Sequence, residues 1–346
     1  MAKIFFDQNY DVYSICKHQS INLEKFCLKT FKVDFKKYSN IKNILESLDP
    51  NKKMEILIGS GFAELLKDEK LIYGRLNQGN KIKILKKINS ERFFTDLKNE
   101  QINIPIWSKK KYNSKGWLIK NFKSFGGGLV TKVSSNYSLK KNEYFQKIIS
   151  GKHFSLQFFA FRKKVRLLSI CNQLFRKESQ KPFIIESLIT CNIESNLLIK
   201  VLKICQKITN IYNLNGINNL DFIIEINSNK VFLIELNARP GLSTNLIYKI
   251  HKDIYKNTDN SEKLNKNQYF YGTQIIYSKK DLLINNNRFK LFENLKNSST
   301  FSELPLKDII IKKNEPICLI HLKSKKTVTL KKNLKNLSNK ILNNLD

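Results

Sequence analysis

LDFIIEINSNKVFLIELNARPG, residues 220–241, reads as two apolar strands joined by a polar turn at Asn227, Ser228, Asn229 and Lys230. A strand's side chains alternate between faces, so Glu235 and Asn237 project to the same side. With Ser228 and Asn229 as the central turn residues, Asp221 is expected opposite Leu236, within one residue of both. Acidic side chains in strongly apolar strands are costly to bury unless paired or coordinated. Two carboxylates and an amide oxygen form an all-oxygen set that suits Mg²⁺, which keeps several waters and bridges phosphate oxygens. An exposed sheet face with ordinary polar alternation produces the same pattern, and the hairpin alone does not separate the two.

Upstream, WLIK (117–120) reads as a strand ending in Lys120, followed by Ser124, Phe125, Gly126, Gly127 and Gly128. Successive glycines let backbone N–H groups close over phosphates, and a nearby Lys supplies a point charge. No GK[ST] follows, so this is not a P-loop, and a Gly-rich turn beside a surface Lys looks the same. EYFQKIISGKHFS (143–155) is an apolar strand running into a Gly turn, with backbone groups able to serve an adenine edge or simply to join two subdomains. Helical periodicity marks 41–48, 91–100 and 195–212, the last with Leu198, Val201, Leu202, Cys205 and Ile208 on one face. KIFF (3–6) and MEILIGSG (54–61) read as strands, with a helix beginning near Phe62, so the first 80 or so residues point to an open α/β sheet. GSGF (59–62) lacks GxGxxG spacing and reads as a tight strand-to-helix turn. Residues 251–268 are polar and read as a loop.

Composition narrows the function classes. The 346 residues carry 62 Lys and Arg against 29 Asp and Glu, a formal net charge of +33. Only seven of the basic residues are Arg and only four residues are Ala, a Lys- and Asn-rich pattern expected of an AT-biased genome. The Lys residues run from Lys3 to Lys340 without clustering, whereas a nucleic-acid binder concentrates Arg and interleaved aromatics on one face. Nucleic acid is therefore not the expected partner. The six Cys show no CxxC pair or metal-ligand spacing, no secretory leader pattern opens the sequence, and no apolar run approaches membrane-spanning length, so a cytoplasmic protein without a membrane partner is expected.

The order of these features along the chain is strand Lys, Gly-rich loop, Q-K-I-I-x-G connector, Asp strand, then E-L-N-A-R-P-G. That order resembles the ATP-grasp ligases from about residue 54 onward, with ELNARPGLST and GINNLDF its most specific parts. LIGSGFAELL (57–66), LIYGRLNQGN (71–80), QKIISGKHFSLQFFAF (146–161), IIYSKKDL (275–282) and KKNEPICLI (312–320) are similar to the carboxylate–amine ligase branch related to biotin carboxylase, which includes tyramine–glutamate ligases of one-carbon (methanofuran-type) cofactor biosynthesis. The resemblance implies an α/β (α+β) ATP-grasp fold. It divides the chain into a Rossmann-like pre-ATP-grasp domain (1–85), a lid subdomain (86–145), and a large subdomain with C-terminal extension (146–346). It further implies ATP and Mg²⁺ as cofactors, small-molecule carboxylate and amine substrates, and a homodimer as a frequent assembly. Residue by residue, Lys120 becomes a phosphate-binding and catalytic Lys and Ser124, Gly126, Gly127 and Gly128 the loop over the nucleotide. Gln146, Lys147 and Ile149 become the adenine connector, Asp221, Glu235 and Asn237 the magnesium shell, and Arg239 the group beside the transferring phosphoryl. The implied reaction is amide formation through an acyl phosphate. The chain departs from the pattern with Gln146 where many members hold Glu, His153 where a ribose-binding acid is expected, and a poorly matching segment up to Pro50. A ligase for another amino-acid or cofactor substrate, or a basic binding protein without turnover, fits the same residues.

Overall fold

The computed structural model describes residues 1–66, 72, 74–110, 116–123, 127–133, 137–177, 181–250 and 269–345. By contacts the chain forms two units, Met1–Leu45 with Glu186–Thr190 and Asn245–Asp346, and Glu46–Ile185 with Cys191–Thr244.

In the first unit, Tyr13–Cys16 and Lys29–Lys32 pair in parallel. KIFF, expected as a strand, lies in the helix Ala2–Phe6, because three apolar residues are too few for periodicity to separate helix from strand. An antiparallel set places Phe270–Tyr277 between Ile185–Thr190 and Pro316–Ser324, with Phe301–Ser302 on the far side of the latter. The helix Thr327–Asn343 packs there through Leu330 and Leu334, and Gly272 leaves room for them: a Cβ at 272 would stand 2.8 Å from Leu334.

The second unit holds the hairpin. Its main sheet runs Val231–Asn237, Gly216–Glu225, Gly151–Phe161, Lys164–Phe175, antiparallel throughout. Strand Gly151–Phe161 is buried from Phe154 to Ala160, and Arg162 and Lys163 turn the chain with φ of 46° and 62°. The helix Ser195–Tyr212 has the predicted bounds. It buries Val201, Cys205, Ile208 and Tyr212 along one stripe and stops at Asn213 in the left-handed region. Glu91–Asn99 is likewise the predicted helix, with Phe93, Phe94 and Leu97 buried. The MEILIGSG stretch carries a single bridge, Ile56 with Asn77, instead of a strand, and no helix follows Phe62 among the described residues: Ala63 and Leu66 close only isolated turns onto Gly59 and Phe62. Residues 251–268 lie outside the described residues.

A smaller antiparallel sheet orders Trp107–Ser108, Glu143–Lys147, Trp117–Asn121 and Thr131–Lys132. Trp117, Ile119 and Phe145 pack one face with Val133, Tyr137 and Leu139, while Lys120, Tyr144 and Gln146 occupy the other. There Tyr144 stacks on Phe122 at 4.4 Å and meets Phe94 edge-on at 5.3 Å.

Gly151, where the connector enters the main sheet, has no space for a side chain, since a Cβ would overlap Ile223 Cγ2 and the Ile224 carbonyl oxygen. Gly151→Ala is expected to destabilise the fold by about 2–3 kcal/mol, the cost of overpacking a tight site. A thermal melt indistinguishable from that of the parent protein would contradict this.

Candidate active site

The hairpin's register is the first determinant of the site. Its loop spans four residues rather than two, with Glu225 N–H donating to the Lys230 carbonyl at 3.0 Å, and Asn229 at φ 51°. Ile224 then pairs with Val231, and a bulge between Asp221 and Phe222 leaves Ile234 without an opposite residue. The result corrects the expected pairing: Asp221 lies opposite Glu235 rather than Leu236, and Asn219 lies opposite Asn237. Continued through the neighbouring strands, the registers give two polar rungs, Asn237–Asn219–Gln157–Ser169 and Glu235–Asp221–Ser155–Cys171.

Those rungs hold Asp221 tightly. Its Oδ1 accepts from Ser155 Oγ at 2.7 Å, Asn219 Nδ2 at 2.8 Å and Gln173 Nε2 at 3.0 Å, and its Oδ2 from Asn237 Nδ2 at 3.4 Å. Gln157 Nε2 in turn donates to Asn219 Oδ1 at 2.6 Å and accepts at Oε1 from Ser169. Burial raises the Asp221 carboxyl despite the bonds from Ser155 and Asn219 and the charges of Arg239 and Lys120. Glu235 differs: among the described residues its carboxylate has no hydrogen-bond partner. Burial, with the neighbouring charges of Asp221 and Glu64, raises it to about 7, against the pull of Lys120 and Arg239. Its surface is nevertheless partly open, so this is a desolvated carboxylate that a ligand can still reach.

Two cations face the pair. Lys120 is buried, its Nζ donating to Gln146 Oε1 at 3.2 Å; burial lowers its pKa, and the charges of Glu235 and Asp221 oppose that. Because an ammonium only donates, Gln146 must turn its oxygen to Lys120, leaving its Nε2 buried without a partner. Arg239 donates from Nε to Glu64 Oε1 at 2.5 Å and from Nη2 to Asn237 Oδ1 at 2.9 Å. An amide oxygen has two lone pairs, so Asn237 Oδ1 keeps one after that bond. The residue before Arg239 is tied down by Asn80, which donates to the Ala238 carbonyl at 2.9 Å and to Asn218 Oδ1 at 2.8 Å.

The structure thus brings Lys120, Gln146, Asp221, Glu235, Asn237 and Arg239 into one electrostatic cluster. Lys147 and Ile149 sit beyond it on the connector, Lys147 exposed and Ile149 half-buried. Gly127 and Gly128 form a turn closed by Val130 N–H to the Gly127 carbonyl at 3.1 Å; Ser124, Phe125 and Gly126 lie outside the described residues. Gly127, at φ 74°, lies so close to the Phe183 carbonyl that a Cβ would overlap it. Phe183 and Phe175 pack on His153 with ring centroids 5.4 and 5.0 Å away, and burial, aided by the Lys120 charge, lowers His153 to about 4, so its imidazole is neutral. Sequence reasoning missed Glu64, Gln173 and the rung residues Ser155, Gln157 and Asn219. Ser155 and Gln157 did leave a signal, polar residues two apart inside an apolar strand.

A protein-family model described as an ATP-grasp domain matches residues 87–243, the stretch that contains all six residues of the cluster but not Glu64. The chain has an ATP-grasp fold. Solved structures place the whole chain in the same fold. L-amino acid ligase from Bacillus licheniformis superposes with a TM-score of 0.68 at 12% identity, covering 96% of this chain and 97% of that one. Biotin carboxylase from Campylobacter jejuni gives 0.70 at 11% identity over 99% and 91%. N5-carboxyaminoimidazole ribonucleotide synthetase from Thermotoga maritima gives 0.67 at 13% over 97% and 94%. No curated protein matches by sequence. Among the described residues no helix is long and apolar enough to cross a membrane. Within residues 87–243, the elements that carry Lys120, Asp221 and Glu235 are those on which the sequence resemblance rested.

Proposed function

We propose that this chain is an ATP-dependent carboxylate–amine ligase. The observation that carries the reading is Glu235: a desolvated carboxylate without a hydrogen-bond partner among the described residues, directly opposite Asp221 and flanked by Lys120 and Arg239. Burial raises both facing carboxyls despite the Lys120 and Arg239 charges, a divalent cation would hold them ionised, and the donor set is all oxygen, as Mg²⁺ requires. Asp221, Glu235 and Asn237 would hold Mg²⁺, which supplies charge neutralisation on the phosphate oxygens.

In this reading Lys120 binds the phosphates, and the backbone of Ser124, Gly126, Gly127 and Gly128 closes over them. The connector at Gln146, Lys147 and Ile149 takes the adenine edge. A substrate carboxylate oxygen attacks the γ-phosphorus and ADP leaves; the amine nitrogen then attacks the acyl carbon, inorganic phosphate leaves, and the nitrogen sheds a proton. Arg239 stabilises the charge on the transferring group. Closing the Gly loop excludes water, which would otherwise hydrolyse the acyl phosphate. Glutamate is the first acid to test and small amines such as tyramine the first acceptors, following the branch resemblance.

ADP release from MgATP, measured with glutamate and a panel of amines, is expected only when both acid and amine are present. Nucleotide binding without release for any pair would remove the ligase reading; no MgATP binding would remove the nucleotide site as well.

A further inference from the structure

Glu64 closes the GSGF turn, and its carboxylate meets a guanidinium 175 residues away. Its Oε1 accepts from Arg239 Nε at 2.5 Å and pairs with Nη2 as well. Its Oε2 accepts from the Gly61 N–H at 2.7 Å, an amide aimed by a backbone at φ 86° that favours glycine. Both side chains are buried, 5% and 8% exposed. The Nε and Nη2 side of the guanidinium is therefore committed, to Glu64 and to Asn237. Its Nη1 has no hydrogen-bond partner among the described residues, and the chain alongside it is Gly241, where a Cβ would stand 3.4 Å from Nη1. A guanidinium locked along one edge and bare along the other suits an anion that arrives only during reaction.

We propose that Glu64 is a positioning residue: it holds Arg239 so that the Nη1 edge meets the transferring phosphoryl group and the substrate carboxylate. The turn at 59–64 then serves the chemistry by way of Arg239, which goes beyond its reading as a chain reversal. This rests on the ligase reading above.

The test uses the full chain with Glu64→Gln, Arg239→Lys and the double variant, each read for thermal melting, MgATP affinity, and kcat and KM of ADP release. Glu64→Gln is expected to lower kcat about 100-fold, the scale of a misplacement near 1 Å, and to leave MgATP affinity unchanged. The double variant is expected to be no slower than Arg239→Lys alone, because Glu64 acts only through that side chain. Losses that multiply in the double variant, or an unchanged kcat in Glu64→Gln, overturn the proposal. Should Glu64→Gln fail to fold, Gly61→Ala disturbs the same carboxylate without removing a charge. A kcat loss at constant MgATP affinity then supports the proposal, and an unchanged kcat overturns it. A parent protein that binds MgATP yet releases no ADP with any acid and amine defeats the ligase reading, and this proposal with it; an active parent with an indifferent Glu64→Gln defeats this proposal alone.

Discussion

Replacing Glu235 by Gln is expected to abolish Mg²⁺-dependent turnover while making the fold more stable above neutral pH. The carboxyl is raised from 4.5 to about 7, mainly by burial. The folded state thus holds this proton more tightly than the unfolded chain does. Stability from this group is complete below about pH 4.5 and is lost as pH rises through about 7. At pH 8 the ionised group costs on the order of 3 kcal/mol, a cost a neutral amide does not carry. Melting temperatures should therefore coincide at pH 4.5 and separate at pH 8, with the variant higher. Turnover should fall at least about 100-fold, as for removal of one electrostatic stabiliser of a transition state. Mg²⁺ must displace the proton, so its stabilisation of the parent protein should grow from pH 6 to pH 8 and be weak in the variant. A variant that melts with the parent at both pH values would show that Glu235 is not a desolvated acid.

Lys120→Met carries the second largest expected effect. The ammonium is buried with one neutral partner, Gln146, and faces both carboxylates. Met keeps the length and removes the charge, so MgATP affinity is expected to fall about 100-fold, the worth of two close charge contacts with phosphate at 1.4 kcal/mol per tenfold. Lys120 also supplies the largest lowering influence on Glu235, so its loss should push that carboxyl further up and move the pH onset of Mg²⁺ binding upward. A check independent of activity is available at His153, which the Lys120 charge helps hold near 4. Its imidazole resonance, followed by NMR, should titrate at higher pH in Lys120→Met. An unmoved His153 would separate Lys120 from the cluster.

Much of the site was legible because its carriers are long, strongly patterned elements. The helix Ser195–Tyr212 repeats its apolar stripe over five turns, and the strand-Lys, connector and hairpin segments are apolar runs bounded by polar or Gly-containing turns. Element-level errors fell where a run was short. KIFF offers three apolar residues to either state, and MEILIGSG finds only Asn77 to bridge with. The pairing of Asp221 with Glu235 was out of reach, because a four-residue loop and a bulge at Ile234 each move the register and neither leaves a mark in composition. Glu64 was hidden for a different reason. Its partner is 175 positions away, and nothing local distinguishes a buried ion pair from an acid in a surface turn.

The bulge at Ile234 also sorts the hairpin by its tolerance of insertions and deletions. Ile234 is the extra residue, so its deletion would straighten the ladder and leave Glu235 opposite Asp221, whereas deleting Leu236 would make Glu235 and Asn237 neighbours and, with a period of two, send them to opposite faces. The 226–229 loop lies outside the paired residues, and each doubling of its length costs only about 0.6 kcal/mol of closure entropy. Length variation in this hairpin belongs at its tip and at the bulge, and in the strand Val231–Asn237 the spacing from Glu235 to Asn237 matters as much as the composition.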